Sequence, residues 1–172
     1  MPRYVAFLRA INLPGRNVKM DRLRSTFESL GLENVETFIA SGNIIFDAEE
    51  GDHTQRIETA LEAEVGFPIP VYLRTADEVI AVADSHPFGH TDGEIEVSFL
   101  PAEPDPEGVG ELIDTATGSD RLAVVGREVY WLHSGPRAES EHREATVVKI
   151  LGMPTTQRST RTVQRIADKY LR

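Results

Sequence analysis

The chain has 172 residues, no cysteine and a formal net charge of −10. The missing thiols exclude disulfides, thiolate metal ligands and cysteine nucleophiles, the charge disfavours nucleic acid as a default partner, and no apolar run approaches the ~20 residues of a membrane span. Apolar residues make up 40% and charged residues 27%, an ordinary globular composition, and the basic, apolar start lacks a signal-peptide centre, which points weakly to the cytoplasm.

Charge is unevenly spread. Residues 1–24 hold six Arg or Lys and one Asp, a balance of +5. Residues 25–136 carry −19, and residues 137–172 carry +4. Scattered solvated faces explain this adequately; a local basic surface would follow if the two ends met.

In chain order, Arg3 to Arg9 is apolar on both parities (Tyr4, Ala6, Leu8; Val5, Phe7), as a strand buried on both faces requires. Ala10 to Lys19 reads as a loop around Pro14-Gly15. Met20, Leu23, Phe27 and Leu30 mark one face of a helix that Gly31 ends. Val35 to Ala40 and Asn43 to Asp47 are strands joined tightly through Ser41-Gly42. Asp52 to Val65 is a helix, Gly66 to Pro68 breaks it, and Ile69 to Arg74 is the next strand. Residues 3–74 therefore run β-α-β-β-α-β, a ferredoxin-like order.

Thr75 caps a short helix through Asp84, and Ser85 to Gly93 is a linking loop. Glu94 to Leu100, Leu122 to Val125 and Glu128 to His133 read as strands, with helices over Pro106 to Thr117 and Glu139 to Leu151. Ser159 or Thr160 caps a last helix with Val163, Ile166, Ala167 and Tyr170 inward. The fold class expected is α+β: two ferredoxin-like halves with antiparallel sheets and a C-terminal helix. The halves are placed at 1–74 and 94–172, with 75–93 as the connecting helix and loop.

Connection rules bring polar residues together. A right-handed crossover makes the first two strands parallel, and the hairpin lays the third between them. The Ala10–Lys19 loop and the Ser41-Gly42-Asn43 turn then share one end of the sheet, and the Gly66-Phe67-Pro68 connection should reach it too. This gathers Arg9, Asn12, Arg16, Asn17, Lys19, Ser41, Gly42 and Asn43, a set able to hold an anion through guanidinium forks and exposed backbone N–H groups. Asn and Ser in turns also commonly satisfy local backbone groups. Arg9 directly continues a buried strand, so it must reach solvent, a ligand or an ion-pair partner.

Other patterns are weaker. His86, His90 and Asp92 could hold a metal, but they sit in a Pro/Gly loop with no fixed geometry, and His53, His133 and His142 are isolated in sequence. No metal site is assigned. Ser41 and Ser134 lack a nucleophile elbow, and no phosphate loop or dinucleotide fingerprint appears, so no cofactor is implied. Trp131 belongs to core or sheet surface. Arg158, Arg161, Arg165, Lys169 and Arg172 form a basic tail that a solvated face explains more simply than a nucleic-acid surface.

Three segments carry a family resemblance: Tyr4-Val5-Ala6-Phe7-Leu8-Arg9-Ala10-Ile11-Asn12, Asn17-Val18-Lys19-Met20, and Thr37-Phe38-Ile39-Ala40-Ser41-Gly42-Asn43-Ile44-Ile45-Phe46. With Pro87-Phe88, Ser98-Phe99-Leu100 and the tail near Arg158, the chain resembles the bacterial family catalogued as domain of unknown function 1697. Ala10 and Pro14 stand where that family usually has Gly. Its Thr-Arg-Asn-Trp-Asn-Thr tail reads here Gln157-Arg158-Ser159-Thr160-Arg161-Thr162. The resemblance implies paired ferredoxin-like halves and a site at Arg9, Asn12, Asn17, Lys19, Ser41, Gly42 and Asn43, with Arg158 joining from the tail. It implies no reaction, and whether the chain is an enzyme stays open. The expected function is that of a cytosolic protein binding an anionic small molecule at the end of the first sheet. The alternatives are a nucleic-acid-binding module and a protein-interaction module without a ligand. Oligomeric state is not expressed in the sequence.

Overall fold

Strand β1 (Arg3–Leu8) is central to the first sheet, and its residues from Tyr4 to Leu8 are all buried. Apolar side chains on both parities leave such a strand no solvent face, so it needs a neighbour on each edge and cover on each side. In the computed structural model it pairs antiparallel with β5 (Asn43–Asp47) and β6 (Val71–Thr75). Strand β4 (Glu33–Phe38) extends the sheet beyond β5, giving the order β4-β5-β1-β6. The structure describes residues 1–9, 11–39, 42–89, 91, 93–116, 120–133 and 138–172, with backbone only at 12, 13, 16 and 138–143.

Helices α1 (Met20–Ser29) and α2 (Thr54–Val65) supply the apolar face that one side of this sheet needs. Leu23 and Phe27 from α1, and Ile57 and Leu61 from α2, join Tyr4, Ala6, Leu8, Ile44 and Phe46 in one core. Phe46 stacks on Tyr4 at 5.7 Å and meets Phe27 edge-on at 5.5 Å. Each such side chain contributes about 1.5–3 kcal/mol by leaving water. Gly66 ends α2 in the left-handed conformation. The segment expected to be a loop contains a small hairpin: β2 (Asn12–Leu13) pairs with β3 (Arg16–Asn17) across Pro14-Gly15, where Gly15 has φ +80°. Pro followed by a positive-φ Gly is the type II turn signature.

Helix α3 (Ala76–Asp84) opens with a reciprocal capping box. Glu78 N–H donates to Thr75 Oγ1, and Thr75 N–H donates to Glu78 Oε2. The second sheet has the order β10-β7-β9-β8, from β7 (Glu94–Phe99), β8 (Arg121–Val125), β9 (Glu128–His133) and β10 (Thr156–Ser159). Helices α4 (Pro106–Ile113) and α5 (Ala138–Leu151) belong to its β-α-β-β-α-β sequence, and Leu100, Leu112, Leu122, Val129, Trp131 and Val147 form its core. Trp131 is thus a core residue.

Both sheets show the strand order fourth-first-third-second. The fold is α+β with two βαββαβ-like halves, each built on an antiparallel sheet, and a C-terminal helix, α6 (Thr160–Ile166), which runs into a π-helical turn at Ala167–Leu171. Strand β10 is an addition to the sequence reading, which gave Ser159 only to a helix cap. The chain divides into two compact units, residues 1–80 with 166–172, and residues 81–165. Among the described residues no helix is long and apolar enough to cross a membrane.

Candidate functional site

Three connections converge at one rim of the first sheet. Leu8 N–H donates to Gly42 C=O at 2.9 Å, and Arg9 N–H donates to Pro70 C=O at 3.1 Å. The end of β1, the β4–β5 turn and the entry to β6 are therefore held within single hydrogen bonds of one another. Gly42 fits this junction for two reasons. Its φ is +88°, and an added Cβ would stand 2.8 Å from Ile11 Cδ1 and 3.1 Å from Leu8 Cβ.

The neighbouring turn is strained. Ile39 has φ +51°, a conformation rare for a β-branched residue. Its side chain is exposed. Asn43 is fully buried, and its Nδ2 donates to Phe38 C=O at 2.8 Å. That bond latches the ends of β4 and β5, so Asn43 acts on the turn's shape from below the surface.

Of the residues expected at this rim, Arg9 is half-buried, and Asn17 and Lys19 are exposed. Asn17 faces Asn12 across the β2–β3 register. Lys19 sits at the start of α1, where its C=O accepts from Arg22 and Leu23 N–H. Ser41 lies outside the described residues, as do the side chains of Asn12 and Arg16.

Arg158 is found in the second unit, on β10 opposite Val97. It is 8% exposed, and its Nη1 donates to Thr156 Oγ1 and Gln157 C=O, both at 2.8 Å. Burial lowers its guanidinium to about 10, partly opposed by the Glu144 carboxylate. Its hydrogen bonds fasten an edge strand. The His86 group has its other members, His90 and Asp92, outside the described residues, as is Ser134.

The second half provides an internal control. Leu100 N–H donates to Arg127 C=O at 2.8 Å, the counterpart of the Leu8–Gly42 bond. Closure of the rim is thus a property of the topology, repeated in both halves. What distinguishes the first rim is its chemistry: Arg9, Asn17 and Lys19 with a strained turn, against Pro101-Ala102-Glu103-Pro104 in the second.

The second unit has a different feature that sequence spacing does not reveal. A polar cavity of about 420 Å³ is lined by Thr91, Glu94, Glu96, Ser159, Thr160 and Arg161 among others. Glu96 is buried there, near the buried His133. Only strand register joins these residues, so no motif in the sequence could announce them.

The family model described as "Protein of unknown function (DUF1697)" matches residues 1–130. A comparison with curated proteins finds no match. Among solved structures the chain is similar to conserved bacterial protein SP0830 from Streptococcus pneumoniae, at 22% identity and a TM-score of 0.75, with 97% of each chain covered. At that identity the likeness is one of fold.

Proposed function

This chain belongs to the DUF1697 family, and from that premise we propose that it is a cytosolic protein that binds an anionic small molecule at the rim of its first sheet. The observation that carries the reading is the junction at Leu8–Arg9, where single hydrogen bonds to Gly42 and Pro70 bring three connections around the Arg9 backbone. The half-buried Arg9 offers a forked donor for a phosphate or carboxylate. Asn17 and Lys19 border the same loop and add polar and cationic contacts. The positive φ of Ile39 supports a functional turn, since backbone strain concentrates at binding sites. A net charge of −10 weighs against nucleic acid as the ligand.

Thermal-shift screening against nucleotides and phosphorylated metabolites tests this, on the wild type and on Arg9→Ala. A ligand at a hundred times its Kd stabilises the wild type by about 2.7 kcal/mol, and Arg9→Ala is expected to lose most of that shift. An equal shift in Arg9→Ala would place the ligand elsewhere and overturn the assignment.

A further inference from the structure

Three donors of metal-ligating type meet in the second unit. Glu94 and His133 are direct register partners on β7 and β9, and Glu96 lies two residues along, on the same face. His133 Nε2 stands 4.0 Å from Glu94 Oε2 and 3.8 Å from Glu96 Oε1. One ligand atom from each residue lies within 4.8 Å of the others.

These particular separations are too long for hydrogen bonds. They are close to what a shared ion imposes: with bonds of about 2.0–2.2 Å, neighbouring donors stand about 3–3.5 Å apart. With the whole group spanning up to 4.8 Å, reaching that spacing takes movements of about an ångström, which rotation of the exposed Glu94 side chain supplies. Two donors are held in place. The His133 and Glu96 side chains are 1% and 8% exposed, and the imidazole lies against Trp131 at 4.5 Å between ring centres. The third, Glu94, is 65% exposed and able to swing.

The surroundings suit an ion. Glu94 and Glu96 line the cavity of about 420 Å³, which gives an entry path and room for coordinating water. Thr91, Ser159 and Thr160 add hydroxyls to the same wall. Two carboxylates converge on this face, one exposed and one buried. Arg161, exposed, also lines the cavity and would be the competing cation for Glu94.

We propose that Glu94, Glu96 and His133 bind one divalent transition cation at the wall of this cavity. The imidazole favours a borderline cation such as Zn²⁺, and the two carboxylates also suit Mn²⁺, so these two are the fitting probes. Two carboxylates neutralise its charge, and open coordination positions face the polar cavity.

Equilibrium dialysis of the full chain against Zn²⁺ and Mn²⁺, with elemental analysis, tests the site. The wild type is expected to retain one equivalent of at least one of the two ions. Glu94→Gln should weaken that binding by about 10–100-fold, the range already seen when only an outer-sphere partner of a ligand is lost. Because Glu94 is exposed, this variant should keep the wild-type circular dichroism and metal-free Tm. His133→Gln should abolish binding; should it fail to fold, Glu94→Gln alone decides. Arg9→Ala should bind the ion normally, which separates this site from the anion site. Absence of a stoichiometric ion from the wild type, or retention by Glu94→Gln at unchanged affinity, would overturn the proposal.

Discussion

At the scale of single residues, Gly42 and Gly31 make a matched pair. Both have positive φ, +88° and +79°, but only Gly42 has atoms where a Cβ would go. Gly31→Ala should cost the backbone strain alone, about 1–2 kcal/mol. Gly42→Ala adds a clash with Ile11 and Leu8 and should cost about 2–4 kcal/mol. Urea denaturation of both variants checks this, and equal losses would show that Ile11 yields without cost. Tyr130 gives a prediction in pH. Its phenol is pushed up to about 12, by burial first and then by the Glu128 carboxylate. The folded value lies above the ordinary 10.0. Its favourable contribution is therefore complete below pH 10.0 and lost as pH rises through about 12. Tyr130→Phe should flatten the alkaline fall in stability across that window. Arg158 has the opposite sign. Its folded value lies below the usual one, so its contribution grows only as pH rises above about 10, and it stays at its least through neutrality.

At the scale of elements, periodicity written in apolar letters was legible and periodicity written in polar letters was not. Strand β1 and helix α1 could be read from Tyr4–Leu8 and from Met20, Leu23 and Phe27, because their burial follows hydropathy. Strand β10 alternates inward and outward, with Thr156 and Arg158 buried and Gln157 and Ser159 partly exposed. All four letters are polar, so hydropathy showed no strand. The burial becomes tolerable only through bonds such as Arg158 Nη1 to Thr156 Oγ1. Strand β6 repeats the device: Arg74 is 2% exposed, pairs with Val5, and donates from Nη1 to the C=O of the preceding residue, as Arg158 does. This shared detail on the last strand of each half is a structural likeness between them. The first rim was foreseeable for a different reason, since chain connectivity alone fixes which loops meet. The Glu94–Glu96–His133 group was not foreseeable, because pairing β7 with β9 depends on long-range register.

At the scale of the whole molecule, the division between units does not follow a single cut in the chain. Residues 166–172 belong with residues 1–80. Ile166 and Ala167 are fully buried, Tyr170 meets Phe38 edge-on at 6.0 Å, and its hydroxyl donates to Thr37 C=O at 3.4 Å. A chain ending at Arg165 loses the burial of Ile166, about 1.5–3 kcal/mol, and the aromatic pair, about 0.5–1.5 kcal/mol. Hydrogen exchange should show the loss as reduced protection in β4 and β5, with β7 to β9 little changed. A uniform loss across both sheets would mean that the segment supports the two units alike.

That excursion of the backbone also sets an order of events during synthesis. Residues 81–165 leave the ribosome as one uninterrupted stretch and can close their own sheet on the way out. The first eighty residues emerge earlier yet must wait for the latest of these segments before Phe38 acquires its aromatic neighbour. In a growing polypeptide, residues 1–80 thus emerge before residues 81–165 yet gain their last segment after them, and until then the β4 edge lacks its Tyr170 cover.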